Sequence, residues 1–440
     1  MIARLLVLVV LLLAGSADSF GFGRGGGLTC PKGYAGGGLV PCSKRAYFEF
    51  APADGVGMDG LCSCSTITGA KGEAMSFTRA SRGSCVKSPT TAVANGDMVI
   101  CPNGTPRVMP DPDGVPALLI EPARTNAVPR SQEVDDASYG DFTAGAAAAP
   151  VLNGADAALA PDGTLTAEDY TFDATAAPQA SARALAILTA TTYSSQLWVR
   201  GQAGSGAIDL CLQTAAAPTA TCSSCSFVAT AWTQCRAETI LSIAGGQIYL
   251  GNMTLLNGGT VRPVNRVYVW GLDAQIGKHE TSYIPTAGAP VARSAEAVSI
   301  TLSAAMPKIG SLATSYTPNH GGAATLNGGA EPGGPWMFSG SFRPLYADGL
   351  TNAAIFDNVH GAFVAAAWVR GTKKSYCTSW SEARGQRVRN ISDSTISTSA
   401  FTAATYGGTA SLSLSGGVGS YPSGLISSIC MDSNENRCCP

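Results

Sequence analysis

Hydrophobic residues alternate with polar or aromatic residues in many short runs of the chain, and Gly, Asn, Asp or Pro bounds nearly every run. Successive side chains of a β-strand point to opposite faces, so this alternation predicts strands that each bury one face. Ala-rich stretches such as 143–149 lack the amphipathic period of a helix. Short strands separated by turn residues are typical of β-sandwiches, and we predict an all-β protein with two β-sandwich (jelly-roll) domains.

The clearest runs are 195–200, 208–213, 247–250 and 267–270, and their alternation separates two kinds of face. One face is aliphatic and is predicted to build the hydrophobic core of a sandwich. It carries Leu197, Val199, Ile208, Leu210, Leu212, Ile248, Leu250, Val267 and Val269. The other face combines aromatic, amide and charged side chains, namely Gln196, Trp198, Arg200, Asp209, Gln213, Gln247, Tyr249, Tyr268 and Trp270.

The composition of this second face suits a sugar ligand. The weakly apolar C–H face of a sugar ring packs on flat aromatic rings, and the hydroxyl groups need fixed amide or charged partners. We therefore predict that the nine residues form one shared face that binds a glycan or surface polysaccharide without catalysis. An alternative stays open, in which the aromatic residues stabilise the sheet as cross-strand pairs or pack beneath a loop.

Composition and charge exclude two other classes of protein. The chain has 440 residues and a net charge of -2, so it lacks the basic surface that nucleic-acid binding requires. A hydrophobic fraction of 45% is too high for a disordered chain. The length is enough for about two to three domains, each with a core of its own.

The chain begins with MIARLLVLVVLLLAGSADSF, which has the features of a secretory signal peptide. The positive charge of Arg4 precedes an apolar run that is too short to span a bilayer, and small residues follow that run. We predict a signal peptide at 1–17 and a mature protein that is secreted, extracellular or periplasmic. No later stretch is long and apolar enough for a membrane-spanning helix.

Export places the 14 cysteines in an oxidising compartment, which favours disulfides. The cysteines fall into three groups of even number, so pairing within each group is predicted, while the connectivity stays open. A zinc site at Cys222 and Cys225 would need a second knuckle or a His pair, and the sequence has neither. The disulfide candidates are Cys211, Cys222, Cys225, Cys235, Cys377 and Cys430.

Four segments carry a resemblance to a known family: LLIEPARTN at 118–126, PDGTLTA at 161–167, VYVWGLDAQIG at 267–277 and TSYIPTAGAPVAR at 281–293. FTRAS at 77–81 and Pro106-Arg107 match the lead-in of the same group. This order resembles the carbohydrate-binding-module-like jelly roll of bacteriophage tail and tail-fibre proteins and of related bacterial secreted proteins. The resemblance implies a β-sandwich with a binding or structural role at a particle or cell surface.

The segment 422–430 resembles the last strand of a concanavalin-like (laminin-G-like) sandwich, which relatives often carry after the jelly roll. The predicted order is a signal peptide at 1–17, a Gly-rich lead-in at 18–46, N-terminal strands at 47–115, the jelly roll at 116–300 and the second sandwich at 301–440. Because 301–440 holds too few strands for such a sandwich, we expect 47–115 to supply the missing ones. The jelly roll would then be inserted into the concanavalin-like domain.

Motifs of common enzymes are absent from the sequence. No Ser has the G-x-S-x-G setting of a hydrolase, and His279-Glu280 lacks the second histidine of a zincin. We predict no enzymatic activity and no cofactor. The resemblance leaves a structural calcium open, because relatives often hold that ion with an Asp of the final strand, where this chain has Trp270 and Asp273.

Two alternatives to a glycan-binding or adhesion protein remain. One is a structural component of a surface fibre or phage-tail-like particle, in which a fibre partner or a second copy of the chain covers the aromatic face. The other is a secreted glycan-degrading enzyme, which needs two carboxylates about 5–10 Å apart across a groove.

Overall fold

The computed structural model describes residues 46–49, 75–87, 92–114, 116–186, 191–213, 220–243, 246–277, 279–302, 306, 308–318, 336–339, 342–348, 352–365, 369–402, 409, 411–414 and 424–432. They belong to a unit formed by Lys44–Pro440. The predicted signal peptide and nearly all of the predicted Gly-rich lead-in lie outside these residues.

The regular structure of the described residues consists of thirty β-strands, which confirms the predicted all-β class. The first strands are β1 (Ala46–Glu49), β2 (Met75–Thr78), β3 (Gly83–Val86), β4 (Ala92–Val93), β5 (Met98–Cys101), β6 (Val108–Pro110), β7 (Pro116–Ile120) and β8 (Arg124–Asn126). They are followed by β9 (Tyr139–Ala144), β10 (Val151–Leu159), β11 (Leu165–Phe172), β12 (Ala180–Ala186), β13 (Thr191–Gly201), β14 (Ser205–Gln213), β15 (Ala220–Val228), β16 (Trp232–Ile243), β17 (Gln247–Asn252), β18 (Asn265–Ile276) and β19 (Val291–Arg293). The last strands are β20 (Ala297–Thr301), β21 (Gly310–Pro318), β22 (Trp336–Ser339), β23 (Phe342–Asp348), β24 (Asn352–Phe356), β25 (Gly361–Ala365), β26 (Lys374–Ser381), β27 (Gly385–Asn390), β28 (Thr395–Ser399), β29 (Ser411–Ser413) and β30 (Gly424–Asp432). Within this part of the chain, no helix is long and apolar enough to cross a membrane.

Strands from both ends of the chain build one sandwich, which we name the outer sandwich. One of its sheets has the order β28-β27-β26-β21-β30-β7-β6, with β1 also paired to β30, and the other has the order β2-β20-β29-β22-β23-β24-β25. A hydrophobic cluster fills the space between the two sheets, and Leu118 of β7, Ile300 of β20 and Trp380 of β26 are among its buried members. The N-terminal strands β1, β2, β6 and β7 therefore complete a sandwich whose other strands follow residue 296.

Strands β8 to β19, together with β4, build a second sandwich, which we name the inserted sandwich. One sheet has the order β10-β11-β18-β13-β16-β4 and is extended by β8 and β19, and the other has the order β15-β14-β17-β12-β9. The core between these sheets contains all of the aliphatic residues that the alternation assigned to the buried face, so that prediction is confirmed. The chain leaves the outer sandwich after β7 and returns to it at β20.

The predicted limits of the jelly roll, residues 116 and 300, are too wide at both ends. β7 pairs with β6 and β30, and Leu118 and Ile120 are buried in the core of the outer sandwich. β20 pairs with β2 and β29, and Val298 and Ile300 are buried in the same core. The alternation of a strand shows which side chains it buries but not which sheet it joins, so the sequence could not exclude these two strands from the jelly roll.

Two disulfides link strands of the inserted sandwich. Cys211–Cys222 joins the neighbouring strands β14 and β15, with an S–S distance of 2.04 Å. Cys225–Cys235 joins β15 to β16, which lies in the opposite sheet. Both pairs form within one of the predicted cysteine groups. A native disulfide typically contributes about 2–4 kcal/mol by restricting the unfolded chain.

Disulfides are not confined to the inserted sandwich. Cys377 of β26 is disulfide-bonded, as is Cys101 of β5. The side chain of the remaining candidate, Cys430, lies outside the described part of the structure. Disulfides are typical of proteins that fold in an oxidising compartment.

A buried ion network, which we name the junction network, joins the two sandwiches where the chain passes between them. Arg107 donates from Nε to Glu296 (2.7 Å) and from Nη2 to Glu121 (2.6 Å). Arg79 pairs with Glu296 (3.1 Å), and Arg293 pairs with Glu121 (2.8 Å). All five side chains are fully buried. Burial acts to raise the pKa of Glu121, but Arg293 and Arg107 outweigh it and lower this pKa to about 2.

Four of the six sequence segments that carry the family resemblance meet at the junction network. Arg79 belongs to FTRAS, Arg107 to the Pro-Arg pair that follows it, Glu121 to LLIEPARTN and Arg293 to the end of TSYIPTAGAPVAR. Ser282, also from TSYIPTAGAPVAR, donates its backbone N–H to Glu121 (2.7 Å). The shared role of these residues in this chain is to attach the inserted sandwich to the outer one.

Replacing Arg107 with Met should lower the free energy of unfolding by about 3–5 kcal/mol, because Glu121 and Glu296 both lose a buried cationic partner. Arg130→Met is the matched control, since Arg130 and its partner Glu133 are 40% and 48% exposed, and an ion pair in solvent should contribute little. Unfolding of both variants in guanidinium chloride checks the difference. Equal losses of stability would contradict the role assigned to the junction network.

Candidate functional site

Five of the nine predicted ligand residues lie on the outer face of one sheet of the inserted sandwich. The pairing of β16, β13 and β18 arranges this face in three rows, and we name it the tryptophan face. The rows are Arg236–Gln196–Asp273, Gln234–Trp198–Trp270 and Trp232–Arg200–Tyr268. The face therefore brings Gln196, Trp198, Arg200, Tyr268 and Trp270 together, as the alternation predicts.

The tryptophans of this face are not open to solvent, so the prediction that Trp198 and Trp270 form a sugar-stacking surface is wrong. Trp198 is 2% exposed and Trp270 is fully buried. Trp270 donates its Nε1–H to Thr166 (2.9 Å), and its ring lies 4.8 Å from the ring of Tyr283. Residues from four other segments complete this cover, among them Val93, Met98, Ala160 and Ala167. The rings of this face are therefore packed inside the protein, against residues of β4, β5 and β11 and against Tyr283.

Arg200 lies between two aromatic rings at the end of the tryptophan face. Its guanidinium carbon is 4.8 Å from the ring centre of Trp232 and 4.9 Å from that of Tyr268. The same group donates to the side-chain oxygen of Asn95 (2.9 Å), and burial lowers the pKa of Arg200. These contacts use the faces of both rings for a cation–π stack within the protein. Arg200 and Tyr268 thus stabilise the sheet.

The other four predicted ligand residues lie on the second sheet, so the nine residues do not form one shared face. Asp209 of β14 is fully buried and pairs with Arg262. It also accepts hydrogen bonds from the side chain of Asn257 (2.7 Å) and the backbone N–H of Met253 (3.0 Å). Asp209 therefore holds the connection between β17 and β18, because a buried carboxylate needs several donors.

Tyr249 is 3% exposed and is likewise used within the protein. Its ring lies 4.8 Å from that of Phe142, and its hydroxyl donates to Gln247. Gln247 in turn pairs with Gln213 across β17 and β14. The ring of Tyr249 offers no open surface on which a sugar could stack, because its neighbours on the sheet already cover it.

A cavity of about 180 Å³, which we name the interface cavity, lies between the tryptophan face and the outer sandwich. Trp198 lines it on one side, and its buried Nε1–H finds no hydrogen-bond partner among the described residues. A buried donor without a partner costs about 1–3 kcal/mol, so a polar guest is favoured beside it. The apolar part of the wall includes Val86, Met98, Met109, Leu119, Pro318 and Leu425.

Three charged side chains meet at the rim of the interface cavity. Glu280 is 1% exposed and pairs with Arg236 of the inserted sandwich (3.2 Å) and with Arg370 of the outer sandwich (2.5 Å). The two arginine side chains are 28% and 30% exposed, so they mark the side of the cavity that is open to solvent. The rim is thus built by both sandwiches and carries two positive charges against one negative charge.

A chain of hydrogen bonds supports the rim from behind. Gln234 donates to Gln196 (2.5 Å), and Gln196 donates to the Oδ2 atom of Asp273 (3.0 Å). The same oxygen accepts from Gln275 (2.7 Å) and from the N–H of Ile284 (3.1 Å). Burial nevertheless raises the pKa of Asp273 to about 7, because desolvation of the carboxylate outweighs its donors. Arg236 of the rim donates to Gln234 (2.5 Å), so Gln196 helps to position the rim although it does not line the cavity.

Replacing Asp273 with Asn should flatten the dependence of stability on pH. The pKa of Asp273 is about 7 in the folded protein against an ordinary value of 3.8, so the wild-type protein should lose stability as the pH rises from about 4 to about 7. Asn keeps an oxygen for the same donors but carries no charge. We expect a difference on the order of 3 kcal/mol between wild type and variant in the change from pH 5 to pH 8. Thermal unfolding at both pH values measures it, and identical changes would refute the assignment.

Asp273 does not fit the calcium that the family resemblance left open. Its oxygen faces N–H donors, which take the place of a cation, and the paired strand offers the amide of Gln196 in place of a second carboxylate. More broadly, the described residues contain no group of three or more His, Cys, Asp or Glu side chains that could hold a metal ion.

The three rim residues were not among the residues selected from the sequence. Arg236 could have been found, because β16 alternates Trp, Gln and Arg with Thr, Cys and Ala in the same period of two as the four selected runs. Glu280 lies between β18 and β19 of the inserted sandwich, and Arg370 lies between β25 and β26 of the outer sandwich. No local pattern links two such positions, so only the fold brings them together.

Comparisons with known proteins leave the family open. No family model matches the chain, and no curated protein matches it. Among solved structures, the chain is similar to the N-terminal CBM22-1-CBM22-2 tandem domain of Xyn10C from Paenibacillus barcinonensis, with 6% sequence identity and a TM-score of 0.24. The match covers 70% of this chain and 96% of that chain. A likeness of this size carries no argument about function, and the resemblance to phage-tail proteins stays a prediction.

Proposed function

We propose that this protein is an exported, non-catalytic glycan-binding protein and that the glycan docks in the interface cavity. One observation carries the proposal: apolar walls, the buried N–H of Trp198 and a charged rim surround the same cavity. Sugars require such a mixture, because their C–H faces are weakly apolar while their hydroxyl groups need fixed donors and acceptors. The cavity replaces the nine-residue face as the proposed site.

The size of the cavity limits what it can hold. A volume of about 180 Å³ is below the ~300–1,000 Å³ that sites for drug-sized ligands usually measure. One sugar ring fits this space better than a long stretch of chain does. We therefore propose recognition of a chain end or a branch, with weak affinity at each site and stronger retention when several copies act together.

The chemistry of the cavity supports binding without bond cleavage. A glycosidase needs an acid that keeps its proton near neutral pH. Glu121, which lines the cavity, has a pKa lowered to about 2 by its arginines and cannot play that part. Cys85 lines the cavity too, but burial raises its pKa to about 12, so it stays a thiol and a poor nucleophile.

Filling the cavity tests the proposal. Met109→Trp places an indole in the space that the sugar would occupy, and we expect it to weaken glycan binding at least about tenfold, which corresponds to about 1.4 kcal/mol. The oxidised mature protein is first applied to a glycan array, and the affinity of each variant for the selected glycan is then measured by isothermal titration calorimetry. Wild-type affinity in Met109→Trp would exclude the cavity as the site.

Two further variants separate blocking from misfolding. Met109→Leu keeps the apolar wall without filling the cavity, so its affinity should stay within about twofold of wild type. Pro112→Trp changes an exposed residue of the cavity lining and should also block entry without disturbing a core. A protein that is folded by circular dichroism but binds nothing on the array would contradict the proposed function itself.

A second candidate function is a structural subunit of a surface fibre, and one observation favours it. β10 is the outermost strand of its sheet, and Val151, Leu152 and Leu159 are 54%, 42% and 45% exposed. An exposed apolar edge strand can pair with the edge of another chain. This candidate predicts assemblies that grow with protein concentration in light scattering and that Leu152→Lys abolishes. Val359→Lys, at a residue that is 56% exposed away from this edge, is its matched control.

A further inference from the structure

The rim of the interface cavity places two guanidinium groups beside one carboxylate. Arg236 and Arg370 both pair with the Oε1 atom of Glu280, which is almost fully buried. Each guanidinium group carries five N–H donors in a planar fork, and that fork matches the two oxygens of a carboxylate. About a quarter to a third of each arginine side chain faces solvent at the mouth of the cavity.

The carboxylate at the back of the cavity is already neutralised by the junction network. Glu121 lines the cavity and pairs with the buried Arg107 and Arg293. Its charge therefore does not offset that of the two rim arginines. Charges inside a protein are screened less than charges in water, so the rim charges act on a ligand in the cavity. A neutral sugar would gain nothing from them.

From these two observations we infer that the glycan carries a carboxylate, as a uronic acid or another acidic sugar does, and that Arg236 and Arg370 bind this group. The inference rests on the proposed function and adds the class of sugar. The carboxylate lies at the rim, between the two guanidinium groups and above Glu280. The sugar ring extends towards Met109 and Leu119, where the wall is apolar.

A matched set of sugars tests the inference. The probes are methyl glycosides in two pairs: glucuronic acid with glucose, and galacturonic acid with galactose. The two members of a pair differ only at carbon 6, which is a carboxylate in the acidic sugar and a hydroxymethyl group in the neutral one. Dissociation constants are measured by NMR titration of the full mature protein at low ionic strength. We expect an acidic sugar to bind at least about tenfold more tightly than its neutral partner, as a charge-assisted hydrogen bond would provide. Added sodium chloride should reduce this preference.

Two rim variants should change the preference in opposite directions. Arg370→Met removes one guanidinium group and should reduce the affinity for the acidic sugar about tenfold, while the affinity for the neutral sugar stays within about twofold. Glu280→Gln removes the competing carboxylate and should increase the affinity for the acidic sugar about threefold or more. Arg387→Met, at an exposed arginine of β27 in the outer sandwich, is the control and should change neither affinity.

The outcomes distinguish this inference from the proposed function. Equal affinities for acidic and neutral sugars, with both abolished by Met109→Trp, would overturn the inference and leave glycan binding in place. A loss of acidic binding in Arg370→Met together with a gain in Glu280→Gln supports the inference, and an unchanged preference in both variants overturns it. Binding of none of these sugars and of no acidic polymer on the array would overturn both.

Discussion

The structure depends on the neutralisation of two carboxylates, Glu121 and Glu296, that are buried at the boundary between the two sandwiches. Glu121 lies where the chain leaves the outer sandwich, and Glu296 lies where it returns. Arg79, Arg107 and Arg293 supply the cationic partners that both carboxylates need, because burial of an unpaired charge is very unfavourable. These arginines come from three separate segments, so a single electrostatic requirement forces the N-terminal strands, the exit and the return to meet at one place.

That meeting place also creates the candidate site. The apolar cover of the tryptophan face and the strands of the outer sandwich approach each other without filling the space between them, and the interface cavity remains. One wall comes from each sandwich. At the rim, Glu280 pairs with one arginine of each sandwich. Ligand sites often lie at such boundaries, where two rigid bodies supply different chemistry to one space. The rigidity of the junction network therefore fixes the geometry of the site.

The sequence was sufficient to predict the all-β class and the aliphatic core of the inserted sandwich, because both follow from a period of two that each strand carries by itself. It also predicted that Trp198 and Trp270 share a face. It could not predict that this face is covered, since Val93, Ala160 and Tyr283 reach it from segments that are distant along the chain. For the same reason Glu280 and Arg370 of the rim could not be found, whereas the alternation in β16 pointed to Arg236. Local patterns determine which side chains share a surface, and only tertiary contacts determine what lies on top of it.

The insertion has a consequence for the order in which the chain folds. The outer sandwich pairs β1 with β30, so its contacts join residues from opposite ends of the sequence and carry a large loop-closure entropy. Apart from β4, the inserted sandwich runs from β8 to β19, which pair directly with each other. Once the inserted sandwich has folded, its two ends lie side by side. Strands β7 and β20 of the outer sandwich are then separated by a short gap instead of by the whole length of the inserted sandwich. We therefore expect the inserted sandwich to act as an internal folding nucleus for the domain that surrounds it.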